Sequence, residues 1–132
     1  MSAERPPLTP SEIERLLAAS PEQRLAYLIE TAAAHEELWG LEREDGWVRF
    51  AMPHGLPAVF PLWPAQEFAA LASAGEEEQP RRLELEELLE FVLPELSRGE
   101  MSVAAFPHAG TGIVLAAGVL SEKLAQAWEE GD

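Results

Sequence analysis

Prolines interrupt the segment LPAVFPLWPAQEF, residues 56 to 68, and limit how it can pair in a sheet. Its apolar residues favour a β-strand, but proline has no backbone N–H to donate. Successive N–H groups of a strand point to opposite edges, so Pro57 and Pro61 remove donors from the same edge. We therefore predict a strand with one blunted edge, which protects an apolar segment from pairing with other chains.

The other edge of this strand keeps its donors at Ala58, Phe60 and Leu62. We predict that these donors pair with a strand over residues 48 to 52, and that the proline-containing side is a sheet edge. Within a strand, Pro64 would remove a donor from this second edge. It comes, however, where the sequence indicates the first turn of a helix. It therefore ends the strand.

A hairpin is predicted just before this strand, because the dipeptide DG at 45–46 is typical of a two-residue turn. Pairing across that turn places Leu41 opposite Phe50 and Glu42 opposite Arg49, a favourable cross-strand charge pair. The predicted core face comprises Trp39, Leu41, Val48, Phe50 and Met52. The opposite face carries Trp47 beside the charge pair.

Helices and strands follow one another in separate runs along the chain. Two helix starts have the same pattern, at 9–12 and at 20–23: a hydroxyl residue, then proline, with Glu or Gln at the last position. This pattern predicts two capped helices, and a third helix is predicted after Pro64. The acidic segment 76–82 is predicted to be a solvated loop before an amphipathic helix over 85–96. Two strands, 101–106 and 112–117, and a helix over about 120–130 complete the predicted elements.

This order predicts an α+β fold with a five-stranded, mainly antiparallel sheet: a three-strand meander plus a C-terminal hairpin, with helices packed on it. The length of 132 residues fits a single domain, 1–132, with residues 1–19 as an N-terminal helical arm.

Charge and composition exclude several partners. The chain has 9 Lys and Arg against 24 Asp and Glu, a formal charge of -15, which opposes binding to nucleic acid and to anionic membranes. It has no cysteine, so disulfides and thiolate sites are excluded. No segment has the length and hydrophobicity of a membrane span or a signal peptide. A cytoplasmic location without membrane attachment is the expectation.

Several motifs, taken in order, resemble a known family. They are L-W-G-L at 38–41, D-G at 45–46, P-L-W-P at 61–64, L-P-E-L at 93–96 and S-V-A-A-F at 102–106. As an ordered set, over residues 25 to 128, they resemble the small bacterial family of unknown function DUF2750. The resemblance implies a small bacterial α+β protein and supplies no reaction, ligand or catalytic residue.

Few residues suggest chemistry. His54 and His108 lie in predicted loops, and two imidazoles with a carboxylate are a possible metal-ligand set, although nothing in the sequence brings them together. The alternative is that both are solvated loop histidines. The glutamates of the predicted helix at 85–96 are spaced as its solvated face rather than as an acid–base pair. We predict no bound metal, no cofactor and no catalytic residue.

Two classes of function remain open. The favoured one is a non-enzymatic protein-binding module, with Trp47, Arg49 and Glu42 as candidate contact residues for a basic partner. Immunity-like neutralisation of a basic toxin is one version of it. The alternative is a small hydrolase or ligand-binding enzyme that uses His54 or His108 with a carboxylate. The oligomeric state is not predicted.

Overall fold

The computed structural model describes residues 7–131 and has an α+β fold. Its elements in chain order are α1 (Pro10–Leu17), α2 (Pro21–His35), β1 (Glu37–Arg43), β2 (Gly46–Trp47), a 3-10 turn (Pro53–Gly55), β3 (Phe60–Leu62), α3 (Gln66–Ala72), β4 (Gln79–Glu84), α4 (Leu85–Glu87), a π-helical turn (Leu88–Val92), α5 (Leu93–Arg98), β5 (Ser102–His108), β6 (Thr111–Ala116) and α6 (Ala117–Glu130).

Both predicted helix starts are confirmed. The Thr9 hydroxyl accepts from the Glu12 N–H at 3.1 Å, and the Ser20 hydroxyl accepts from the Gln23 N–H at 3.1 Å. The return bond from the Thr9 N–H lowers the pKa of Glu12, because it stabilises the ionised carboxylate. Residues 1–6 of the predicted arm lie outside the described residues.

The prediction of one five-stranded sheet is wrong. Two three-stranded sheets are present: β2-β1-β4, which is antiparallel, and β3-β5-β6, which is mixed. The additional strand is β4, formed in part by residues predicted to be a solvated loop. It pairs with β1 over six residues, from Glu37 opposite Glu84 to Glu42 opposite Gln79. Its charges and its proline are tolerated because β4 is an edge strand.

The predicted hairpin exists, but its register is wrong. Arg43 pairs with Gly46, and Glu42 faces Trp47 rather than Arg49. The positive φ of the turn falls on Gly46 alone, at 128°, whereas a type I′ turn at 45–46 also requires a positive φ at Asp45. The shift is two residues, so the faces are preserved.

The predicted core face is buried only in part. Leu41 and Val48 are buried, while Trp39 and Phe50 are half-buried and pack against the core. Met52 is also half-buried.

Two predictions for β3 are wrong: its main partner, and a free sheet edge on the side of Pro57 and Pro61. Phe60 to Leu62 pair in parallel with Val103 to Ala105 of β5 rather than with residues 48–52. The opposite edge is not a free sheet edge, because it faces the other sheet. There, Val59 exchanges backbone hydrogen bonds with Phe50, and Trp63 does so with Trp39. Pro61 lies between these two isolated bridges, so this edge is not a continuous ladder.

Candidate functional site

An open cleft of about 770 Å³ lies on the face of the β3-β5-β6 sheet. The size is in the range of pockets that bind small molecules or peptide side chains. Its apolar lining comes from five parts of the chain: Leu17, the segment 50–53, Val59 and Trp63, the α3 residues Phe68, Leu71 and Ala72, and residues of β5 and β6 including Ala104, Phe106 and Val114.

Two aliphatic side chains of the cleft lining are exposed. Leu71 is 61% exposed and Val114 is 43% exposed, and they belong to α3 and β6, respectively. Apolar residues grouped at a concave surface are characteristic of binding sites, whereas isolated exposed apolar residues are common on any surface.

The polar part of the cleft is the β5–β6 hairpin. Its turn residues, Ala109 and Gly110, have φ of 53° and 79°, as a two-residue turn with positive φ at both positions requires. A bulge between Ala105 and His108 precedes the turn, and within it the buried Phe106 has φ of 48°. A buried aromatic residue in the left-handed region is strained, and such strain persists only where surrounding contacts fix the backbone.

Arg24 of α2 fixes this backbone from behind. Its side chain is 3% exposed and lies 5.9 Å from the centre of the Phe106 ring. The guanidinium donates to the carbonyl oxygens of Phe106 at 3.0 Å, Thr111 at 3.0 Å and Ala19 at 2.8 Å, and to the Thr111 hydroxyl at 2.9 Å. One buried side chain therefore ties α2 to both strands of the hairpin.

The indole of Trp63 holds the hairpin from the cleft side. Its Nε1–H donates to the carbonyl oxygen of Pro107 at 3.1 Å. The ring is 1% exposed and packs edge-on against Phe50, with centroids 5.8 Å apart. With Arg24 on Phe106 and Trp63 on Pro107, successive carbonyls of the bulge are held by buried donors. The cleft is thus built on a rigid backbone.

The two histidines occupy different settings. His108 lines the cleft, and its carbonyl accepts from the Thr111 hydroxyl at 2.9 Å. His54 is exposed in the 3-10 turn with φ of 58°. Over residues 7–131, no group of three His, Asp or Glu side chains is placed to hold a metal ion.

Two of the predicted contact residues are adjacent in the structure, because Glu42 of β1 pairs with Trp47 of β2. Trp47 is half-buried, with its ring 5.5 Å from that of Phe60 and under the Arg81 guanidinium at 5.1 Å. Glu42 forms an ion pair with Arg81, and Arg49 is exposed. A contact role for Trp47, Arg49 and Glu42 stays a prediction, but most of the Trp47 ring packs within the fold.

Gly40 makes the packing of Trp47 possible. A Cβ at this position would lie 3.0 Å from Cζ3 of the indole, which is confined by Phe60 and Arg81. We expect Gly40→Ala to lower the free energy of unfolding by about 1–3 kcal/mol through overpacking, measured by urea denaturation. Gly118→Ala is the matched control, since a Cβ there meets nothing within 4 Å. An equal loss in both variants would contradict this explanation.

A second polar cluster lies on the other sheet. Glu37 accepts from the Arg82 Nε–H and from the Trp39 indole N–H, each at 2.8 Å. The bond to Glu37 raises the pKa of Arg82, because it stabilises the charged guanidinium. Glu84 also accepts from Arg82, at 3.2 Å. These residues join β1 to β4, and the cluster is structural.

The fold and cleft together define a small α+β protein with two three-stranded sheets and an open apolar site beside the β3-β5-β6 sheet. A family model described as "Protein of unknown function (DUF2750)" matches residues 25–124. The chain belongs to this family. The searches of curated proteins and of solved structures find no match. Among the helices of residues 7–131, none has the length and hydrophobicity to cross a membrane.

Proposed function

We propose that this protein is a non-enzymatic binding domain whose cleft receives apolar side chains of a protein partner with a basic surface. The apolar cleft on a rigid backbone carries the proposal. Leu71 and Val114 expose apolar area there, and Arg24 and Trp63 hold the hairpin in place before any partner arrives. A preformed site loses less conformational entropy on binding.

The charge of the chain supports a basic partner. A formal charge of -15 attracts cationic surfaces and accelerates encounter with them. The apolar cleft then contributes most of the binding free energy, because this energy is concentrated in a few buried contacts. Immunity-like binding of a basic toxin is one form of this function, and a cytoplasmic location fits it.

The hydrolase alternative has less support. His108 is the one titratable side chain among the described residues of the cleft lining, so no carboxylate there accompanies it. A general base of this kind usually needs a second group to orient it. The cleft therefore supports binding better than it supports acid–base chemistry.

The proposal is tested with peptides selected from a random phage-displayed library on the immobilised protein. We expect selected peptides to combine aromatic or aliphatic residues with Lys or Arg, and to bind more weakly as salt is raised. In ¹⁵N-labelled protein at low concentration, the largest shift changes should fall on residues of the cleft. Leu71→Ser should weaken binding by about tenfold or more.

Leu56→Ser is the matched control. Leu56 is 57% exposed, comparable with Leu71, but it is not among the lining residues. Its loss should leave peptide affinity unchanged. Peptides that bind away from the cleft, or equal affinity losses in the two variants, would overturn the proposed function.

A further inference from the structure

One part of the surface differs in charge from the rest of the molecule. Residues 101–121 contain no Asp, Glu, Lys or Arg and form the longest such stretch in a chain with 33 charged residues out of 132, 9 basic and 24 acidic. They comprise β5, β6 and the first turn of α6. Among residues 7–131 five large apolar side chains are exposed, and two of them, Val114 and Val119, lie within this stretch.

Strand β6 is an outer strand without the features that usually prevent edge-to-edge pairing. It is the outer strand of its sheet, and its sequence TGIVLA has neither charge nor proline. The other outer strands in the described chain are protected: β4 carries Pro80, Arg81 and Arg82, and β2 has two residues. On β3, Pro61 removes a donor from the edge that faces β1. Charges, prolines and short length are the usual protections against edge pairing.

The direction of the free donors on β6 follows from its neighbours. On β3, the N–H groups of Val59 and Trp63 point away from β5. The N–H groups of Phe60 and Leu62 therefore point toward β5 and bond to its even-numbered residues. The odd-numbered residues of β5, Val103 and Ala105, then bond to β6. Their partners on β6 are Ile113 and Leu115. The outward N–H groups therefore belong to Gly112, Val114 and Ala116.

We propose that β6 pairs antiparallel with β6 of a second copy of this chain, forming a six-stranded sheet across a two-fold axis. In such an interface residues at the two-fold axis meet their own copies, so a charge there would face a like charge. Two copies of formal charge -15 repel each other, so their association is opposed least at an uncharged surface, and β6 provides one. A basic partner would instead be attracted to the acidic surfaces.

The proposed pairing also places the two clefts together. A two-fold axis perpendicular to the sheet keeps the same face of both copies on one side, so both clefts open on that side. Val114 contributes to the cleft as well as to the free edge. Ala116 is outside the described cleft lining and allows the two roles to be tested separately.

The test is sedimentation velocity of the purified full chain over a range of protein and salt concentrations. We expect the average mass to rise toward twice the monomer mass at concentrations on the order of 100 μM, since an interface of one strand is small. Higher salt should strengthen association by screening the net charge, the opposite of its effect on a basic partner. Failure here would thus leave the proposed cleft function intact.

Two variants target the free edge. Val114→Lys places a charge on it, and Ala116→Pro removes an outward donor at a residue whose φ of -62° already suits proline. Both should reduce the dimer fraction at least fivefold. Phe91→Lys is the matched control, because Phe91 is 67% exposed and lies in the π-helical turn outside the uncharged stretch. It should leave the dimer fraction unchanged.

Amide hydrogen exchange of the parent protein gives an independent result. Exchange at Gly112, Val114 and Ala116 should slow as the protein is concentrated, while other exposed amides stay unchanged. A chain that remains monomeric at all concentrations would overturn the proposal. A dimer that forms with these three amides still exchanging fast, or that persists in both edge variants, would also overturn it.

Discussion

Replacing Arg24 by methionine is expected to lower the free energy of unfolding by about 2–4 kcal/mol. Methionine keeps the apolar part of the side chain but donates no hydrogen bond. The buried carbonyl oxygen of Phe106 and the partly buried one of Ala19 then lose a donor. The desolvation cost of the guanidinium disappears at the same time, which keeps the expected loss below the sum of its four bonds.

The effect of Arg24→Met is measured as a shift of the urea midpoint with unchanged slope. Arg15→Met is the control, since Arg15 is exposed on α1 and should change stability by less than about 0.5 kcal/mol. Arg24→Lys should lie between the parent and the methionine variant, because an ammonium cannot reach all these acceptors at once. Equal midpoints for Arg24→Met and the parent would refute a structural role for the network.

The same variant connects stability to the cleft. Without Arg24, the carbonyl of Phe106 loses its side-chain donor, while Trp63 still donates to the carbonyl of Pro107. In the absence of urea, where Arg24→Met remains folded, we expect the backbone amides of its β5–β6 hairpin to exchange faster than in the parent. We also expect selected peptides to bind this variant more weakly.

Local patterns in the sequence predicted most elements but not their pairing. The capping boxes and the final hairpin come from short-range rules, and the structure confirms them. The parity of Pro57 and Pro61 predicts a side of β3 without a continuous ladder, which the structure has, but this side is not the free sheet edge that we predicted. The positions of the prolines show which edge of a strand lacks donors, but they do not show which strand pairs with the other edge. That strand, β5, lies some forty residues further along the chain.

The errors have a common physical origin. The segment 79–84 has the charge and proline of a loop, but the same residues suit an edge strand, and only the position of β1 decides between the two. Arg24 was overlooked because an arginine in a helix is usually solvated. Its spacing of four residues before Leu28 places it on the buried side of α2, and that spacing was the available indication.

The cleft could not be predicted from the sequence, because its lining comes from distant segments. Leu71 of α3 and Val114 of β6 line one cleft only in the folded chain, where Phe68 of α3 packs on Phe106 of β5. Trp47 was expected to be exposed from its face alone. The missing side chain at Gly40 leaves room for the indole of Trp47, which strand alternation does not reveal.

Replacing Phe106 is expected to cost about 3–5 kcal/mol, because its fully buried ring lies 4.6 Å from the ring of Phe68. The glycine variant should nevertheless be more stable than the alanine variant by about 0.5–1 kcal/mol. In an ordinary strand the order is reversed, since glycine loses more backbone entropy. At a φ of 48° the Cβ of alanine is strained and glycine is not.

Two single substitutions test this strain without deleting a core ring. Ala109 has φ of 53° in the exposed turn, so Ala109→Gly should stabilise the protein by about 0.5 kcal/mol. Ala104 lies in β5, as Phe106 does, but has no positive φ. Ala104→Gly should therefore destabilise the protein by about 1 kcal/mol. Urea midpoints of all four variants decide the matter. If alanine is the more stable residue at both 106 and 109, the bulge stores no backbone strain, and Arg24 and Trp63 merely follow a backbone that would adopt this shape without them.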